Sequence, residues 1–441
     1  MLSDFNKFYK RFFSYFGKTE LKIIKSTGLV FLKDFMLRSR LIYHLECSVI
    51  DLRNQILIKY SSTEILSGII LRILDGEERL YHQRNKVNNH FYEICNTSGQ
   101  VPHFTTLRYY LKKNPHTYKN LRNVLENTVL EEIAKKGIKK ITVEIDQTGK
   151  IVYGRSNGVM KGYVSGRKNK KCYQLVVWSI RELGLLYKVE LLPGNIHCAK
   201  GFLKKLKLVV EKLTSLGIEL RIICDSGYEK EAIFKYLQSK NVEFVFARKQ
   251  RTKVKLRGKN AKNKTEISDN YIAELIIKER YWNEFREIYI QNRLIRDELG
   301  QYWLKEFDSN EFTNVLITNM IEPVEEIYTI YKQRAIIENV IKELKNEFGF
   351  GIAHNKTMAF NRSVAFIVAI AYNLKNMFVE YLTSTKSMCF KGLPTVRTLR
   401  NQIFHIPGIL VNNGGRKIVK LNQYFLEKLG NIIKIFGYQI T

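Results

Sequence analysis

The sequence predicts a mixed α/β fold in which a helical region precedes a sheet core and a β-rich insertion interrupts that core. Apolar residues follow helical spacing up to about residue 135, and strand-like alternation replaces it from Lys139 onwards. Between residues 220 and 248 an apolar strand, a helix and a second apolar strand follow one another. This alternation is typical of a βαβ unit, whose two strands lie parallel in one sheet.

Helix start and stop signals divide the N-terminal region into elements. Predicted helices cover residues 62–75, 105–114 and 118–136. Serine or threonine opens the first two, and glycine or Asn-Pro follows their ends. The region up to residue 135 is therefore expected to be helical.

The remaining segments complete the predicted division of the chain. Core strands are predicted at ITVEIDQT, KIVYGR, CYQLVVWSI and LLYKVELLP, and further strands between residues 249 and 320. Helices are predicted at 323–348 and 362–382, and a hairpin across Asn413-Gly414. The resulting parts are a helical region, a first core part, a β-rich insertion, a second core part and a C-terminal hairpin with a helix: 1–135, 136–248, 249–320, 321–385 and 386–441.

The charge of the chain indicates a polyanionic partner. Lys and Arg number 73 against 42 Asp and Glu, a formal net charge of +31. A folded surface with this excess attracts polyanions and speeds their capture, so DNA, RNA and an anionic membrane all fit. With 45% hydrophobic and 26% charged residues, the composition is that of a globular protein rather than a disordered one.

Cysteine spacing and hydropathy exclude several classes of protein. Six cysteines lie far apart without a C-x-x-C pair, which excludes a cysteine-based zinc finger and favours reduced thiols in a cytoplasm. The longest apolar stretch, residues 364–372, is too short to span a bilayer and predicts a buried helix. The N-terminus lacks the apolar region of a secretory signal. A membrane role stays a minor alternative, based on an aromatic stripe of Phe5, Tyr9, Phe12 and Phe16.

Two aspartates occupy places in the predicted sheet where chemistry is common. Val143 and Ile145 alternate with Glu144 and Asp146, so both acids are expected on one face of their strand. Asp225 ends an apolar strand, where open α/β sheets build their ligand crevices. The alternative is that Asp146 is an ordinary exposed strand residue and that Asp225 is the N-cap of the following helix.

A polar stripe follows the helix predicted over 323–348. Tyr331, Arg334, Glu338 and Lys345 fall within an arc of about 60° at 100° per residue. An apolar stripe lies beside them, so the helix could pack on a sheet while directing these side chains into a crevice. A solvated face with ordinary Glu–Lys spacing is the alternative.

This stripe carries a family resemblance. The run YKQRAIIENVIKELK, residues 331–345, matches the Y-x2-R-x3-E-x6-K signature (YREK) of the insertion-sequence-four superfamily of DDE transposases, which are encoded by bacterial insertion-sequence elements. VEIDQT with Asp146, LLPGN at 191–195 and RIICDSGY with Asp225 resemble its thirteen-eighty-like group. FNRSVAFIVAIAYNL is similar to the C-terminal helix of that group, and the matches extend from about Lys25 to about Leu421.

The resemblance implies a fold and a reaction. The family core is a ribonuclease-H-like (retroviral-integrase-like) fold, interrupted by a β-rich domain between its second Asp and its Glu; here Glu338 follows Asp225 by 113 positions. The matching acids Asp146, Asp225 and Glu338 are expected to be catalytic and to bind two Mg²⁺ ions, with Mn²⁺ as a substitute. Water would free a 3′-OH at the transposon end, and this 3′-OH would then join target DNA.

The resemblance also implies contacts with double-stranded DNA. Tyr331, Arg334 and Lys345 are expected to bind phosphates of the transposon ends, and the region 1–135 to bind the inverted repeats. Residues 105–108 could open a recognition helix, although an ordinary capped helix explains them equally well. A homodimer in the synaptic complex and a cytoplasmic, nucleoid-associated location in bacteria are expected, without a membrane.

A basic run provides further candidate DNA contacts. Residues 248–264 hold nine Lys and Arg and no acid, which suggests a track for the DNA backbone or, from 253 onwards, a loop. The candidate contacts in this run are Arg248, Lys253, Lys255 and Arg257, the last three alternating as on a strand face. Trp303 is the candidate for stacking on an unpaired base, with Trp282 second.

Other functions stay open at this point. A ribonuclease-H-like nuclease or resolvase would cut without joining, and an inactive descendant would act only as a DNA-binding regulator. An RNA-binding protein is disfavoured because the sequence carries no RRM or KH signature. The role of Glu144 as a metal ligand is also open.

Overall fold

The computed structural model describes most of the 441 residues. The described ranges are 22–54, 56–79, 102–164, 166–249, 251–254, 262–269, 273–282, 285–292, 294–296, 302–304, 314–413 and 416–439. The aromatic stripe at Phe5, Tyr9, Phe12 and Phe16 lies outside them.

The N-terminal part of the described chain is helical after a short strand. Strand β1 (Lys22–Ile24) is followed by helices α1 (Leu29–Arg38), α2 (Leu41–Ser48), α3 (Ser62–Leu74), α4 (Phe104–Lys113) and α5 (Thr117–Lys135). Helices α3, α4 and α5 correspond to the three predicted helices. Helix α3 begins with a capping box, in which the Ser61 hydroxyl accepts from the Glu64 amide and the Glu64 carboxylate accepts from the Ser61 amide.

A mixed sheet forms the centre of the molecule. Its first strands are β2 (Lys140–Ile151), β3 (Met160–Val164), β4 (Arg167–Ile180), β5 (Leu185–Pro193), β6 (Glu219–Cys224) and β7 (Glu243–Ala247). Strand β4 lies antiparallel between β2 and β5, whereas β2, β6 and β7 are parallel neighbours. The connecting helices are α6 (Phe202–Thr214) and α7 (Glu231–Ser239). The predicted βαβ unit with parallel strands is therefore confirmed at β6, α7 and β7.

One predicted core strand is wrong. The segment KIVYGR does not form a strand of its own, because Lys150 and Ile151 are the last residues of β2. Strand β2 continues through them since its pairing with β4 extends to Ile151 opposite Cys172.

The described chain forms six strands between residues 249 and 320, and four of them continue the same sheet. The six strands are β8 (Lys262–Asp269), β9 (Ala273–Trp282), β10 (Phe285–Asn292), β11 (Leu294–Arg296), β12 (Tyr302–Leu304) and β13 (Asn314–Thr318). Strand β13 pairs with β7 on one side and with β10 on the other, and β9 and β8 follow outwards. Strands β11 and β12 pair with each other. The segment thus extends the edge of the sheet beyond β7.

Helices and a small sheet complete the described chain. The elements are α8 (Val324–Lys332), α9 (Ala335–Glu347), α10 (Met358–Ser384), α11 (Val396–Leu399), β14 (Gly408–Asn413), β15 (Arg416–Lys420) and α12 (Gln423–Ile435). Strand β14 pairs with β15, as the predicted hairpin requires, and also with β1 near the start of the chain. The division into five domains stays a prediction.

The single helix predicted over 323–348 is wrong, because the chain forms two helices there. At the junction, the Arg334 amide donates to the Tyr331 carbonyl at 2.9 Å and the Ile337 amide to the Arg334 carbonyl at 3.1 Å. These bonds span three residues, as in a tighter turn than the α-helix. The apolar side chains of α8 pack on β6, β7, β10 and β13, whereas those of α9 enter the main core with α10. Two separate cores therefore draw the two helices apart.

Helix α10 is the main core helix of the fold. Among the described residues it is the one helix long and apolar enough to cross a membrane, yet 94% of its most apolar window is buried inside the protein. A core helix passes the same test of length and composition. The buried helix predicted at 364–372 is confirmed as part of α10.

Candidate active site

Asp146 and Asp225 lie side by side where the parallel pairing of two interior strands of the sheet ends. The parallel pairing of β2 with β6 places Ile145 opposite Cys224, and the two aspartates directly follow these residues in the sequence. Both side chains line the same open cleft, whose volume is about 520 Å³. Asp225 also accepts a hydrogen bond from the Ser226 amide and so caps a short 3₁₀ turn, Ser226–Tyr228. The capping role and a role in the cleft are thus compatible.

Arg334 connects this pair of strands to Glu338. It stands at the turn between α8 and α9, and its Nη2 donates to Oδ1 of Asp146 at 2.9 Å. Its Nη1 donates to Oε1 of Glu338 at 3.1 Å, one helical turn further on. The Glu338 side chain is 60% exposed, against 15% for Asp146. One guanidinium therefore bridges two of the three predicted catalytic acids.

The charges in this cluster shift the proton affinities of its members. Burial raises the pKa of Asp146; the neighbouring Arg334 opposes this shift, whereas the carboxylates of Asp225 and Glu338 add to it. Burial alone would lower the pKa of Arg334, but Asp146 and the other acids outweigh it and raise the pKa. The guanidinium stays charged, and it offsets part of the repulsion among the acids.

The three acids have the chemistry of a site for a hard divalent cation, but they are not drawn together as one ligand set. Among the described residues, no three side chains of His, Cys, Asp or Glu are grouped closely enough to hold one ion. The Arg334 guanidinium lies between Asp146 and Glu338. Carboxylate oxygens are the ligands that Mg²⁺ prefers, so the donor set fits such an ion if Arg334 moves aside.

Tyr331 and Lys345, the other residues of the predicted stripe, occupy separate places. Tyr331 lies on α8 and is partly buried, and this burial raises the pKa of its phenol to about 12. Lys345 lies on α9, where its Nζ donates to Oγ1 of Thr148 at 3.1 Å and to the Gly149 carbonyl at 3.0 Å. Burial and the nearby Lys150 lower the pKa of Lys345. Its ammonium is thus held beside Thr148 and Gly149, which follow Asp146 on β2 and line the same cleft.

Glu144 lies beneath the cleft and does not line it. Its carboxylate is buried and accepts from Nε of Arg181 at 2.7 Å. Arg181 also donates to the Gln333 side chain at 2.9 Å and to the Ile330 carbonyl at 3.0 Å. Burial raises the pKa of Glu144, and Arg181 opposes the rise. The pair thus fastens the turn that carries Arg334 to the sheet.

The cleft contains residues that sequence analysis did not single out. Lys161 and Tyr163 of β3 and His197 of the loop after β5 line it together with the acids. Lys161 and Tyr163 are exposed, which adds a cation and an aromatic ring to the cleft wall. No motif marks them, because they come from a hairpin whose position depends on pairing with β4.

The LLPGN segment also belongs to the cleft wall. Gly194 and Asn195 line the cleft, and the Gly194 carbonyl accepts from the Gln174 side chain at 3.1 Å. A Cβ atom on Gly194 would lie only 2.3 Å from the carbonyl oxygens of Cys172 and Met160. Glycine is therefore required at this close approach of three backbone segments.

The basic run is only partly available for DNA. Arg248 does not fit the expected exposed contact, because it is buried and forms ion pairs with Glu229 and Glu287. Lys253 is exposed, but it belongs to a helical turn rather than a strand. Lys255 and Arg257 lie outside the described residues, as do the side chains of Trp303 in β12 and Trp282 in β9.

Comparison with known proteins identifies a family. The family model described as transposase DDE domain group 1 matches residues 21–429. No curated protein matches the chain.

The chain also resembles solved structures of transposases at low sequence identity. A piggyBac transposase synaptic complex with hairpin DNA has a TM-score of 0.48 and 11% identity over 85% of this chain and 79% of that one. A Mos1 transposase paired-end complex has a TM-score of 0.17 and 15% identity over 38% and 57%. A pre-cleavage Mos1 transpososome has a TM-score of 0.16 and 14% identity over 37% and 57%. None of these likenesses is close enough to assign an activity.

Proposed function

The chain belongs to the transposase DDE domain group 1 family, and on that premise we propose that it cuts and joins DNA as a bacterial transposase of the insertion-sequence-four superfamily. It would bind the inverted-repeat ends of its element, cleave them by metal-assisted hydrolysis and join their 3′-OH ends to target DNA. The observation that carries this proposal is the cluster of Asp146, Arg334 and Glu338 beside Asp225. Isolated acids have ordinary structural explanations, whereas acids that share a partly buried cation in a cleft are typical of functional sites.

The strand arrangement supports a ribonuclease-H-like core. Asp146 lies on β2 and Asp225 directly follows the neighbouring parallel strand β6, whereas Glu338 comes from a helix beyond the strands that extend the sheet. This is the order that the family resemblance implies, with the β-rich segment between the second Asp and the Glu.

Asp146, Asp225 and Glu338 would hold the divalent ions that DDE transposase domains generally use, with Mg²⁺ as the proposed ion and Mn²⁺ as a substitute. When bound, two ions would activate the attacking oxygen and stabilise the leaving oxygen in an in-line displacement. The protein positions the phosphodiester: Lys161 offers an exposed cation in the cleft, and Lys345 is fixed beside Thr148 and Gly149.

Each step exchanges one bond to phosphorus for another. In the first, a water oxygen bonds to phosphorus while the bond to the 3′-oxygen breaks, leaving a 3′-OH and a 5′-phosphate. In the second, that 3′-OH attacks a phosphodiester of target DNA, and the target's own 3′-oxygen leaves with a proton. Arg334, Lys345 and Tyr331 would contact phosphates of the transposon end once DNA is present, as the family resemblance implies.

The partner of this activity is double-stranded DNA. A net charge of +31 supports binding to a polyanion of this kind. The synaptic complex is proposed to contain a homodimer, because two transposon ends must be held together. A nucleoid-associated location in the bacterial cytoplasm follows from the proposed substrate.

The decisive experiment is cleavage of the genomic DNA that flanks the gene, because the ends of the element lie there. We expect cuts at a fixed position in the presence of Mg²⁺ and none with the Asp146→Asn variant. A second assay supplies a pre-cut end with a free 3′-OH and measures its transfer to plasmid DNA. Cutting without transfer would favour the nuclease or resolvase, and binding without either reaction would favour the regulator.

A further inference from the structure

A second concave surface lies away from the acids. It is a groove of about 810 Å³ between helix α4, the chain that follows β2 and the chain that follows α9. We call it the cationic groove, and the residues that define its chemistry are Arg108, Lys112, Arg155, Lys356, Tyr109 and Tyr153. None of these residues belongs to the predicted catalytic cluster.

The four cations of the groove have no acidic partners among the described residues. All four side chains are exposed, and neither Asp nor Glu occurs among the described residues that line the groove. The ion pairs of the described chain do not include Arg108, Lys112, Arg155 or Lys356. Four uncompensated positive charges in one concavity repel one another, so the surface favours an anionic ligand that spans all of them.

Two loops that carry these charges are fixed to each other by a buried polar side chain. Asn361, only 2% exposed, accepts hydrogen bonds from the backbone amides of His354 and Asn355 at 2.9 and 3.1 Å. Its side-chain amide donates to Oγ of Ser156 and to the phenol of Tyr173, both at 3.1 Å. The groove wall is therefore ordered before any ligand binds, which lowers the entropic cost of binding.

A direct bond between the loops adds to this rigidity. The Asn157 amide donates to the Lys356 carbonyl at 2.8 Å, and the Ser156 hydroxyl donates to the Asn355 carbonyl at 2.8 Å. Arg155 and Lys356 thus stand on backbones that are held together. Two cations at a fixed separation suit a ligand with regularly spaced charges.

The tyrosines give the groove a further feature of DNA-binding surfaces. Tyr109 is 54% exposed and Tyr153 is 91% exposed. Tyrosine hydroxyls, together with Lys and Arg, are frequent donors to phosphate and sugar oxygens. Helix α4 contributes Arg108, Tyr109 and Lys112 from one exposed face, as a helix lying along DNA would.

Strand β2 connects the acids to the groove, so its length gives the distance between Asp146 and the groove. Asp146 and Ile151 lie on this strand, and five residues at about 3.3 Å each span about 17 Å. Tyr153 follows two residues beyond the strand. At about 3.4 Å per base pair, this separation corresponds to roughly five base pairs or slightly more.

We propose that the cationic groove binds the phosphate backbone of duplex DNA about half a helical turn from the phosphodiester that the acids cut. This inference rests on the proposed function for the position of the cut, whereas the groove itself can be tested without cleavage. Its occupant is duplex DNA because the charges are spread over two loops and a helix rather than focused on one small anion.

The test measures DNA binding by the full chain in the absence of Mg²⁺. The probe is a fluorescently labelled DNA duplex of arbitrary sequence and about 30 base pairs, roughly three helical turns. The variant is the double substitution Arg155→Ala with Lys356→Ala, whose side chains are exposed. We expect affinity to fall at least tenfold at low salt, and the slope of log K against log salt to decrease by about 2, at roughly 0.9 per lost phosphate contact.

A matched control removes the same charge elsewhere. Lys139 precedes β2 and Lys240 precedes β7, so both exposed side chains lie at the sheet edge opposite the acids. The double variant Lys139→Ala with Lys240→Ala should keep most of the affinity and the slope. Equal losses in the two double variants would overturn the groove assignment, as would an unchanged slope in the groove variant.

Two further outcomes are distinguishable. An RNA duplex of the same sequence that binds as tightly, and is weakened equally by the groove variant, would overturn the assignment to DNA. Failure of the parent protein to cut flanking DNA in Mg²⁺ would count against the proposed transposase activity but not against the groove, because the binding assay contains no metal.

Discussion

The guanidinium of Arg334 donates to the carboxylate of Asp146 across 2.9 Å, from a helix turn to the middle of the central sheet. Because the same guanidinium also reaches Glu338 at 3.1 Å, a cation of the protein lies between two of the proposed metal ligands. A positive charge in this position competes with any divalent cation for the same oxygens. Arg334 therefore has two proposed partners, the acids before metal binds and a DNA phosphate afterwards.

Replacing Arg334 with alanine is expected to strengthen metal binding. The substitution removes a cation from the carboxylates, so the free protein should bind Mn²⁺ about tenfold more tightly, which corresponds to about 1.4 kcal/mol. Isothermal titration calorimetry at pH 8 without DNA measures this directly. Strand transfer should nevertheless slow, because the phosphate contact is lost.

Lys345→Ala is the matched control for this measurement. Its ammonium binds Thr148 and the Gly149 carbonyl rather than an acid, so its removal should leave Mn²⁺ affinity within about twofold of the parent. Weaker Mn²⁺ binding by Arg334→Ala would show that the guanidinium supports the metal site instead of competing with it.

Substitution of the three acids should impair cleavage without impairing DNA binding. Asp146→Asn, Asp225→Asn and Glu338→Gln are each expected to reduce Mg²⁺-dependent cleavage at least a thousandfold, about 4 kcal/mol of barrier. Affinity for duplex DNA in the absence of metal should stay within a few-fold, because cations bind the phosphates. Near-normal cleavage by one of these variants would remove that residue from the ligand set.

The sequence predicted the two strands that position Asp146 and Asp225, because these strands follow from local apolar patterns. The apolar runs before Asp146 and Asp225 specify two strands. Because these strands are parallel neighbours, the two aspartates lie side by side. Periodicity could not reveal the break at Gln333 and Arg334, because it arises where α8 and α9 pack on different cores. The helical wheel over 323–348 therefore treated Tyr331 and Lys345 as residues of one helix, whereas they lie on α8 and α9.

Contacts between distant residues explain the other differences. Arg248 was expected on a DNA track because its neighbours are basic, but its partners Glu229 and Glu287 are 19 and 39 positions away in sequence. The cationic groove could not be predicted from the sequence either, because the hydrogen bond that fixes its wall joins Asn361 and Ser156, which are 205 positions apart. A run of basic residues shows how many positive charges are present, whereas burial determines which of these side chains are exposed to a ligand.

Asp51 should make the stability of the N-terminal helices depend on pH. Burial alone would raise the pKa of Asp51, but hydrogen bonds from Arg53 and Ser62 outweigh it and lower the pKa from 3.8 to about 2. A lowered carboxyl pKa contributes stability that is present above 3.8 and is lost as pH falls towards 2. Asp51→Asn should therefore cost about 1 kcal/mol at pH 7, and the difference from the parent should shrink at pH 3.

The measurement is the urea midpoint of parent and variant at pH 7, 5 and 3. Equal differences at all three values would mean that the effect of Asp51→Asn comes from packing rather than from the charge. The exposed acid Glu46 of α2, replaced with Gln, provides a comparison for the general effect of losing one acid.

Glu144→Gln tests whether the buried acid beneath the cleft is a metal ligand or a positioning residue. The substitution breaks a buried ion pair and leaves the Arg181 guanidinium without its carboxylate, so it should lower the free energy of unfolding by about 3 kcal/mol. Glu231→Gln, which removes an exposed pair with Lys235, should cost less than about 0.5 kcal/mol. Urea unfolding compares the two variants.

Metal binding then separates the two roles of Glu144. Since Glu144 does not line the cleft, Glu144→Gln should bind Mn²⁺ nearly as the parent does, while Asp146→Asn should not. Cleavage should slow in Glu144→Gln, because Arg181 no longer holds the Ile330 carbonyl and Gln333 in place and the turn that carries Arg334 loosens. Loss of Mn²⁺ affinity as large as that of Asp146→Asn would instead make Glu144 a ligand.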